Sequence, residues 1–255
     1  MTAVDAFRLS FGTFTGIKVS APKRVDKQVI KIALYFSFLP ALVVSGTAWF
    51  SGYLAFRATQ APVVAAVIVV GAEILLTSGL HIDGLLDTAD GVAALAKGGR
   101  DRALEVMRIG NSGPAAFATG LLVLLAQVAA LSTAFARHLS VSWIICGLLG
   151  RFAVVFACRI GAKSARVDGL GNPFIGSVDF LWLTLSAAAN LILIAVLAVG
   201  QHSWLLLAAF VISIAFGEFL KRRADKQFGG LTGDILGSIL EKVRTLSLLI
   251  LIINV

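Results

Sequence analysis

Seven apolar stretches of membrane-crossing length constrain what this 255-residue chain can fold into. Hydrophobic residues make up 58% of the chain and charged residues only 14%, whereas soluble domains carry about a quarter charged residues. A helix of about 20 residues, rising about 1.5 Å per residue, crosses a hydrocarbon layer of about 30 Å. We therefore predict an all-α, polytopic transmembrane helical bundle, with spans at residues 28–50, 61–80, 113–136, 139–162, 180–200, 203–220 and 235–255.

Lys and Arg are concentrated in alternate connections between these spans. They are frequent in residues 1–27, 97–108, 159–166 and 221–226 and scarce in the other connections. The positive-inside rule then predicts a cytoplasmic N-terminus. We expect a multi-pass protein of the cytoplasmic membrane, with its active site on the cytoplasmic side.

The chain shows no linker and no repeat of fixed period that would divide it. We predict one integral membrane domain over residues 1–255, in which a cytoplasmic or interfacial arm of residues 1–27 precedes a helical bundle of residues 28–255. Within the arm, AFRLSFGTFTGI fits either a short amphipathic element at the interface or an ordered surface turn.

Three aspartates crowd the end of the second apolar stretch, in GLHIDGLLDTADG. If this segment is helical, Asp83, Asp87 and Asp90 lie on one face within about 60° of each other. Such crowding is tolerated when a cation neutralises it, and carboxylate oxygens suit Mg²⁺ or Mn²⁺. Gly84 would let a phosphate approach. A solvated helix end is the alternative, but ionisable groups in membrane bundles favour a functional site.

Two glycine-rich segments add candidate binding residues. FGGLTGDILG contains Gly230, Thr232, Gly233 and Asp234 just before the last span, where backbone N–H groups could hold an anion and Asp234 could add a carboxylate to a metal site. Its alternative interpretation is a turn with Thr232 or Asp234 as the helix N-cap. In the second segment, ARVDGLGNPFIG, Arg166 and Gly169 could bind phosphate oxygens. The alternative is that this segment is a plain connecting turn.

Other polar residues lie inside or beside the spans. Arg151 falls near the middle of the fourth span, so it must face the bundle interior. An ion pair with Glu73 and binding of a substrate phosphate are both open roles for it. His81, Arg108 and Asn111 flank the aspartates and could contact substrate or lie at the interface.

These motifs resemble the cobalamin synthase family, the adenosylcobinamide-GDP ribazoletransferases of vitamin B12 assembly. GLHIDGLLDTADG is similar to the family pattern of His or Glu, any residue, Asp-Gly, two residues, Asp, two residues, Asp-Gly. FGGLTGDILGSILE is similar to its second pattern, with Glu241 as the downstream Glu. The segments FGTFTGIKV and GRFAVVFACRIGAKSARVDGLG also resemble family segments. VMRIGNSGPAA departs from the family, because Ile109 and Asn111 replace an Asp and an Arg.

The resemblance implies a Mg²⁺-dependent enzyme that joins adenosylcobinamide-GDP to α-ribazole or its 5′-phosphate and releases GMP. Asp83, Asp87, Asp90 and Asp234 would hold the metal, and one of the aspartates or His81 would take the hydroxyl proton. Phosphates or the guanosine would contact Arg166, Arg151 and the 229–233 loop. We expect a lipid bilayer and no nucleic acid as partners, and a homo-oligomer is left open.

Two alternative functions follow from the same features. A CDP-alcohol phosphotransferase also uses closely spaced aspartates on membrane helices, but its usual pattern has Ala-Arg where this chain has Leu86 and Asp87. A cation-coupled transporter would use the acids for coupling ions and Arg151 for an anion. It should show acids at mid-bilayer and repeated spans, whereas here the acids gather at one membrane edge.

Overall fold

The computed structural model describes residues 2–169, 171–198 and 203–253, without the side chains of residues 203 and 204. Within these ranges the chain is helical and contains two isolated β-bridges but no strand. The all-α prediction is therefore confirmed. The helices are α1 Thr2–Phe14, α2 Lys27–Tyr35, α3 Phe38–Thr59, α4 Pro62–Leu76, α5 Leu80–Ile109, α6 Pro114–Ala136, α7 Ser142–Ala157, α8 Phe180–Leu197, α9 Ser203–Phe228 and α10 Gly233–Leu251.

Among the described residues, three segments are long and apolar enough to cross a membrane: α2 with α3, α6, and α8. A fourth is added if α4 and α5 are counted as one bent span. These apolar helices fit a membrane protein. The expected count of seven and the cytoplasmic N-terminus stay predictions. Residues 199–202, 254 and 255, which fall in or beside the predicted spans 180–200 and 235–255, lie outside the described residues.

Two other predicted spans, 139–162 and 235–255, contain helices that are enclosed by the rest of the bundle. α7 has 16 residues and is buried along almost all of its length, because α3, α8, α9 and α10 pack around it. α10 also faces protein, and it packs against α5, α7 and α9. Its charged residues Glu241 and Arg244 are buried in the bundle instead of facing lipid. A helix enclosed by other helices needs neither full membrane length nor a uniformly apolar surface.

A sharp bend separates the second span from the aspartates. α4 and α5 meet at 89°, and Ser78 and Gly79 between them have left-handed backbone angles of φ 51° and 71°. The Oγ1 of Thr77 donates to the Glu73 carbonyl at 2.9 Å and ends α4. HIDGLLDTADG is therefore helical, but it runs in a different direction from the second apolar stretch. Residues 97–108, predicted as a loop, belong to α5, which breaks at Gly99 with φ 69°.

The N-terminal arm is ordered against the bundle. Its AFRLSFGTFTGI segment lies mostly in α1, which packs on α2 and buries Phe11 and Phe14, so the surface-turn alternative is wrong. The carboxylate of Asp5 is buried and accepts from the N–H of Lys23 at 2.9 Å. Just after α1, the N–H of Gly16 donates to the Leu76 carbonyl at 2.7 Å. These contacts hold the arm beside the α4–α5 bend.

Candidate active site

The three aspartates lie on α5 as the sequence predicts, but in different environments. Asp83 is exposed, Asp87 is half-buried and Asp90 is buried. α5 carries nine charged residues, so we place it outside the apolar membrane layer. They are Asp83, Asp87, Asp90, Lys97, Arg100, Asp101, Arg102, Glu105 and Arg108.

Close packing of α5 against α10 brings a fourth aspartate beside them. A Cβ atom added at Gly84 would lie 2.7 Å from the carbonyl oxygen of Asp234, and one at Gly237 would lie 3.3 Å from that of His81. The absence of side chains at these glycines therefore sets the distance between the two helices. As a result, the first turn of α10, with Asp234, lies against the first turn of α5.

Thr232 is the N-cap of α10, because its Oγ1 accepts from the Ile235 N–H at 3.2 Å. This confirms the N-cap alternative for Thr232. Asp234, one residue inside the helix, pairs with Arg166 at 2.7 Å between Nη2 and Oδ2. The other terminal nitrogen of Arg166, Nη1, is buried and has no hydrogen-bond partner among the described residues. It remains able to donate to a bound anion.

A cavity of about 480 Å³ lies beside this helix seam. Its polar wall includes Asp83, Arg166, Asp234 and His81, whose Nδ1 is buried without a partner in the described structure. The opposite wall comes from α1, a contribution that the sequence analysis missed. The signals for it were the amphipathic pattern of this segment and the resemblance of FGTFTGIKV to a family segment. The α1 residues that line the cavity are Leu9, Gly12, Thr13 and Phe14.

Electrostatics in this region favour a bound cation. Partial burial and the negative charges of Asp83, Asp234 and Asp90 together raise the pKa of Asp87 to about 6, against the opposing charge of Arg166. The carboxylates thus repel one another more than the nearby arginine compensates.

His81 is held in its neutral form. Burial lowers its pKa well below the usual value, and the positive charges of Arg151 and Arg244 act in the same direction. The neutral imidazole is the form that can accept a proton, and the same burial makes it a weaker base than a free histidine.

Asp90 has a structural role that the sequence did not indicate. Its two carboxylate oxygens accept from the backbone N–H groups of Gly113 at 2.5 Å and Ala116 at 2.9 Å. Asp90 therefore satisfies two of the free N–H groups at the start of α6. Carboxylate oxygens have further lone pairs, so its role as a metal ligand stays a prediction.

The fit of these residues to Mg²⁺ depends on their chemistry. Among the described residues, no three His, Cys, Asp or Glu side chains converge closely enough to hold a metal ion. Asp83, Asp87 and Asp234 nevertheless supply hard oxygen donors with excess negative charge around one helix seam, which is the donor type that Mg²⁺ prefers. The residues fit the ion in donor type and charge.

Some of the other predicted binding residues line the cavity and others do not. Gly233 and Arg166 line the cavity. Gly230, with φ 155°, allows its loop to approach the Lys163 carbonyl, because a Cβ there would lie 2.4 Å from that oxygen. Gly169 and Asn111 are exposed and do not line the cavity.

Arg108 lies at the end of α5, where it pairs with Asp168 of the 165–176 loop. A hydrogen bond from its own backbone lowers the pKa of the exposed Asp168, and Arg108 lowers it further. The contact ties this loop to α5 outside the cavity.

Arg151 lies in a buried charge network instead of the cavity. It is fully buried and lies 3.6 Å from Glu73, which confirms the predicted ion pair. Glu73 also accepts from Arg244 at 2.5 Å and from the Trp143 indole at 3.1 Å. Arg244 in turn contacts Glu241 at 3.2 Å. The sequence analysis assigned no role to Arg244.

Comparison with known proteins agrees with this arrangement. Residues 6–252 match the family described as cobalamin-5-phosphate synthase. The chain belongs to the cobalamin-5-phosphate synthase family. It is 34% identical to the adenosylcobinamide-GDP ribazoletransferase of Nocardioides sp., over 96% of this chain and 97% of that protein. The enzyme of the same name from Frankia casuarinae is 31% identical, over 97% and 94%.

A third cobalamin-5-phosphate synthase relative, the adenosylcobinamide-GDP ribazoletransferase of Escherichia coli K12, is 33% identical over 70% of this chain and 71% of its own. No solved structure matches the chain. The family match covers both aspartate-bearing segments. In this member of the cobalamin-5-phosphate synthase family, those segments meet at the α5–α10 seam.

Proposed function

We propose that this chain joins adenosylcobinamide-GDP to α-ribazole or α-ribazole 5′-phosphate, giving adenosylcobalamin or its 5′-phosphate and GMP. Family membership across nearly the whole chain carries the proposal. The cavity supports it, because the cationic Arg166 and the carboxylates of Asp83 and Asp234 line it, as transfer between a diphosphate and a hydroxyl requires.

Each polar group of the cavity has a role in this reaction. Arg166 donates its free Nη1 to a diphosphate oxygen, while its ion pair with Asp234 fixes the guanidinium. His81 accepts the proton of the attacking hydroxyl at Nδ1, with an aspartate of the cluster as the alternative base. The oxygen–phosphorus bond to the acceptor forms as the bond to GMP breaks.

Mg²⁺ would be held by Asp83, Asp87 and Asp234, with Asp90 as a further candidate. Bound there, the ion would neutralise charge on the diphosphate oxygens. The positive-inside rule places the basic connections in the cytoplasm, and one of them contacts the acidic seam through the Arg166–Asp234 pair. We therefore also propose that the cavity faces the cytoplasm from the cytoplasmic membrane.

Release of GMP by the purified full chain in lipid tests the proposal. Adenosylcobinamide-GDP, α-ribazole 5′-phosphate and Mg²⁺ should yield GMP, and omission of the acceptor should abolish it. His81→Gln should lower kcat and change its pH profile, whereas Asp101→Asn, an exposed carboxylate on the same helix, should leave activity unchanged. No GMP from folded protein would reject the function, and turnover of a CDP-linked lipid donor instead would favour the CDP-alcohol phosphotransferase.

A further inference from the structure

A second cavity, of about 360 Å³, lies on the other side of α10. α10 turns Ser238 and Lys242 towards it, whereas Gly237 and Leu240 line the acidic cavity. At 100° per residue these two pairs lie on different faces of the helix. The remaining walls come from α5, α6 and the end of α9. The second cavity is therefore separate from the candidate active site.

Two cationic side chains line this cavity without a partner. Neither Arg223 nor Lys242 forms an ion pair with any carboxylate in the part of the chain that the structure describes. By contrast, the two residues before Arg223 are both paired, Lys221 with Asp225 and Arg222 with Glu218. The cavity therefore has an excess of two positive charges.

Two buried hydroxyl groups also line the cavity. Thr88 is 6% exposed and Ser238 is 2% exposed, and neither Oγ has a hydrogen-bond partner among the described residues. A buried polar group without a partner destabilises the fold, so native structures usually supply one. These hydroxyls, on α5 and α10, lie where a ligand in the cavity would complete their hydrogen bonds.

The rest of the lining defines what kind of ligand fits. The side-chain amide of Gln227 adds a donor, and the other walls are mostly apolar. The volume lies in the range of small-molecule sites, about 300–1,000 Å³, and exceeds what a bare phosphate needs. The apolar lining comes from Val92, Leu220, Phe228, Ile235 and Ile239.

We propose that this cavity binds the phosphate of a phosphomonoester whose organic part lies against the apolar wall. Lys242 and Arg223 match a group that carries nearly two negative charges near neutral pH. Thr88 and Ser238 donate to its oxygens. The ligand is either a soluble phosphorylated molecule or the headgroup of a phosphatidic acid, and the proposal does not depend on the transferase activity.

Binding measurements on the full chain separate these two sources. Titration calorimetry in detergent compares phenyl phosphate with phenol, and native mass spectrometry compares phosphatidic acid with phosphatidylcholine. The phosphorylated member of one pair should bind at least about tenfold more tightly. If neither pair shows this preference, the proposal is overturned.

Variants of residues that line the second cavity test whether the phosphomonoester binds there. Lys242→Gln and Arg223→Gln should each weaken it about tenfold or more, since each removes a charge-assisted hydrogen bond. The matched control is Arg222→Gln, a neighbouring exposed cation that does not line the cavity. Equal weakening by Arg222→Gln would assign the effect to general surface charge and overturn the site. Ser238→Ala tests the buried hydroxyl if Lys242→Gln does not fold. Because binding is measured without turnover, a failed GMP assay leaves the result unaffected.

Discussion

Neighbouring aspartates on one face of α5 make different contacts. Asp83 and Asp87 lie near Asp234, and their carboxylates have no hydrogen-bond partner among the described residues, whereas Asp90 accepts from the start of α6. The helical spacing predicts the shared face, because it depends only on residues near in sequence. It could not predict the partners of Asp90, since Gly113 and Ala116 meet it only through the tertiary fold.

Replacement of the free aspartates should affect catalysis far more than folding. We expect Asp83→Asn and Asp87→Asn to lower kcat/KM for GMP release by about 100-fold or more, since each removes a charge that balances Mg²⁺. Thermal unfolding should change little because neither side chain is fully buried. Asp101→Asn is the matched control. Wild-type activity in both variants would show that these carboxylates take no part in the reaction.

Binding of Mg²⁺ should weaken as pH falls through about 6, the pKa to which burial and neighbouring carboxylates raise Asp87. Protonation below that pH removes negative charge, so the metal-free protein binds the ion less well at pH 5 than at pH 7.5. Titration with Mg²⁺ at both values measures this. Asp87→Asn should bind weakly at both values and lose most of the pH dependence. An unchanged profile in that variant would contradict the assignment.

At the scale of helices, glycine contacts position the site. The α5–α10 seam is close because Gly84 has no side chain where it meets the Asp234 backbone. The sequence analysis interpreted Gly84 as space for a phosphate, and the structure shows that this space is filled by α10. It also missed the bend between α4 and α5. An apolar run of membrane length does not indicate that the helix direction changes at Ser78 and Gly79.

A methyl group at the seam should separate the two helices. We expect Gly84→Ala to destabilise the protein by about 2 kcal/mol through overpacking and to lower GMP release, because Asp234 moves away from α5. Gly71→Ala on α4 is the control, since its Cβ would meet nothing within 4 Å. Thermal unfolding in detergent compares them. Equal unfolding midpoints for the two variants would show that the seam is loosely packed.

Across the whole molecule, a buried charge network joins five helices. Glu73 of α4 accepts from Ser45 of α3 at 3.2 Å, as well as from α7 and α10. Gln127 of α6 donates to Glu241 of α10 at 2.9 Å. The two carboxylates and the guanidinium groups of Arg151 and Arg244 balance in charge. The network therefore fixes how these helices pack inside the bundle.

Loss of one carboxylate would leave this network with an unbalanced positive charge. We expect Glu73→Gln to destabilise the protein by about 3–5 kcal/mol, as removal of one buried partner usually does. The control is Glu105→Gln, because Glu105 is exposed and pairs with Arg102 on its own helix. Unfolding in a detergent series measures both. A Glu73→Gln protein as stable as the control would show that the network does not hold the bundle.

How far the sequence predicts this molecule depends on the range of the interactions. The helical class, the positions of α6 and α8 and the Glu73–Arg151 pair follow from apolar length and from the cost of an unpaired charge in a membrane. The central place of Arg244 does not follow, because it lies in a mixed segment at the start of the last predicted span. Its partner Glu73 is 171 residues away.

The ordered arm also bears on how the protein is prepared. α1 forms one side of the acidic cavity through Thr13 and Phe14, and Gly16 fastens it to the bend that carries the aspartates. Trimming the front of the chain to improve expression would leave every apolar helix in place and the protein still soluble in detergent. Such a shortened version would nevertheless lack one side of the acidic cavity, so that water would enter it where α1 now lies.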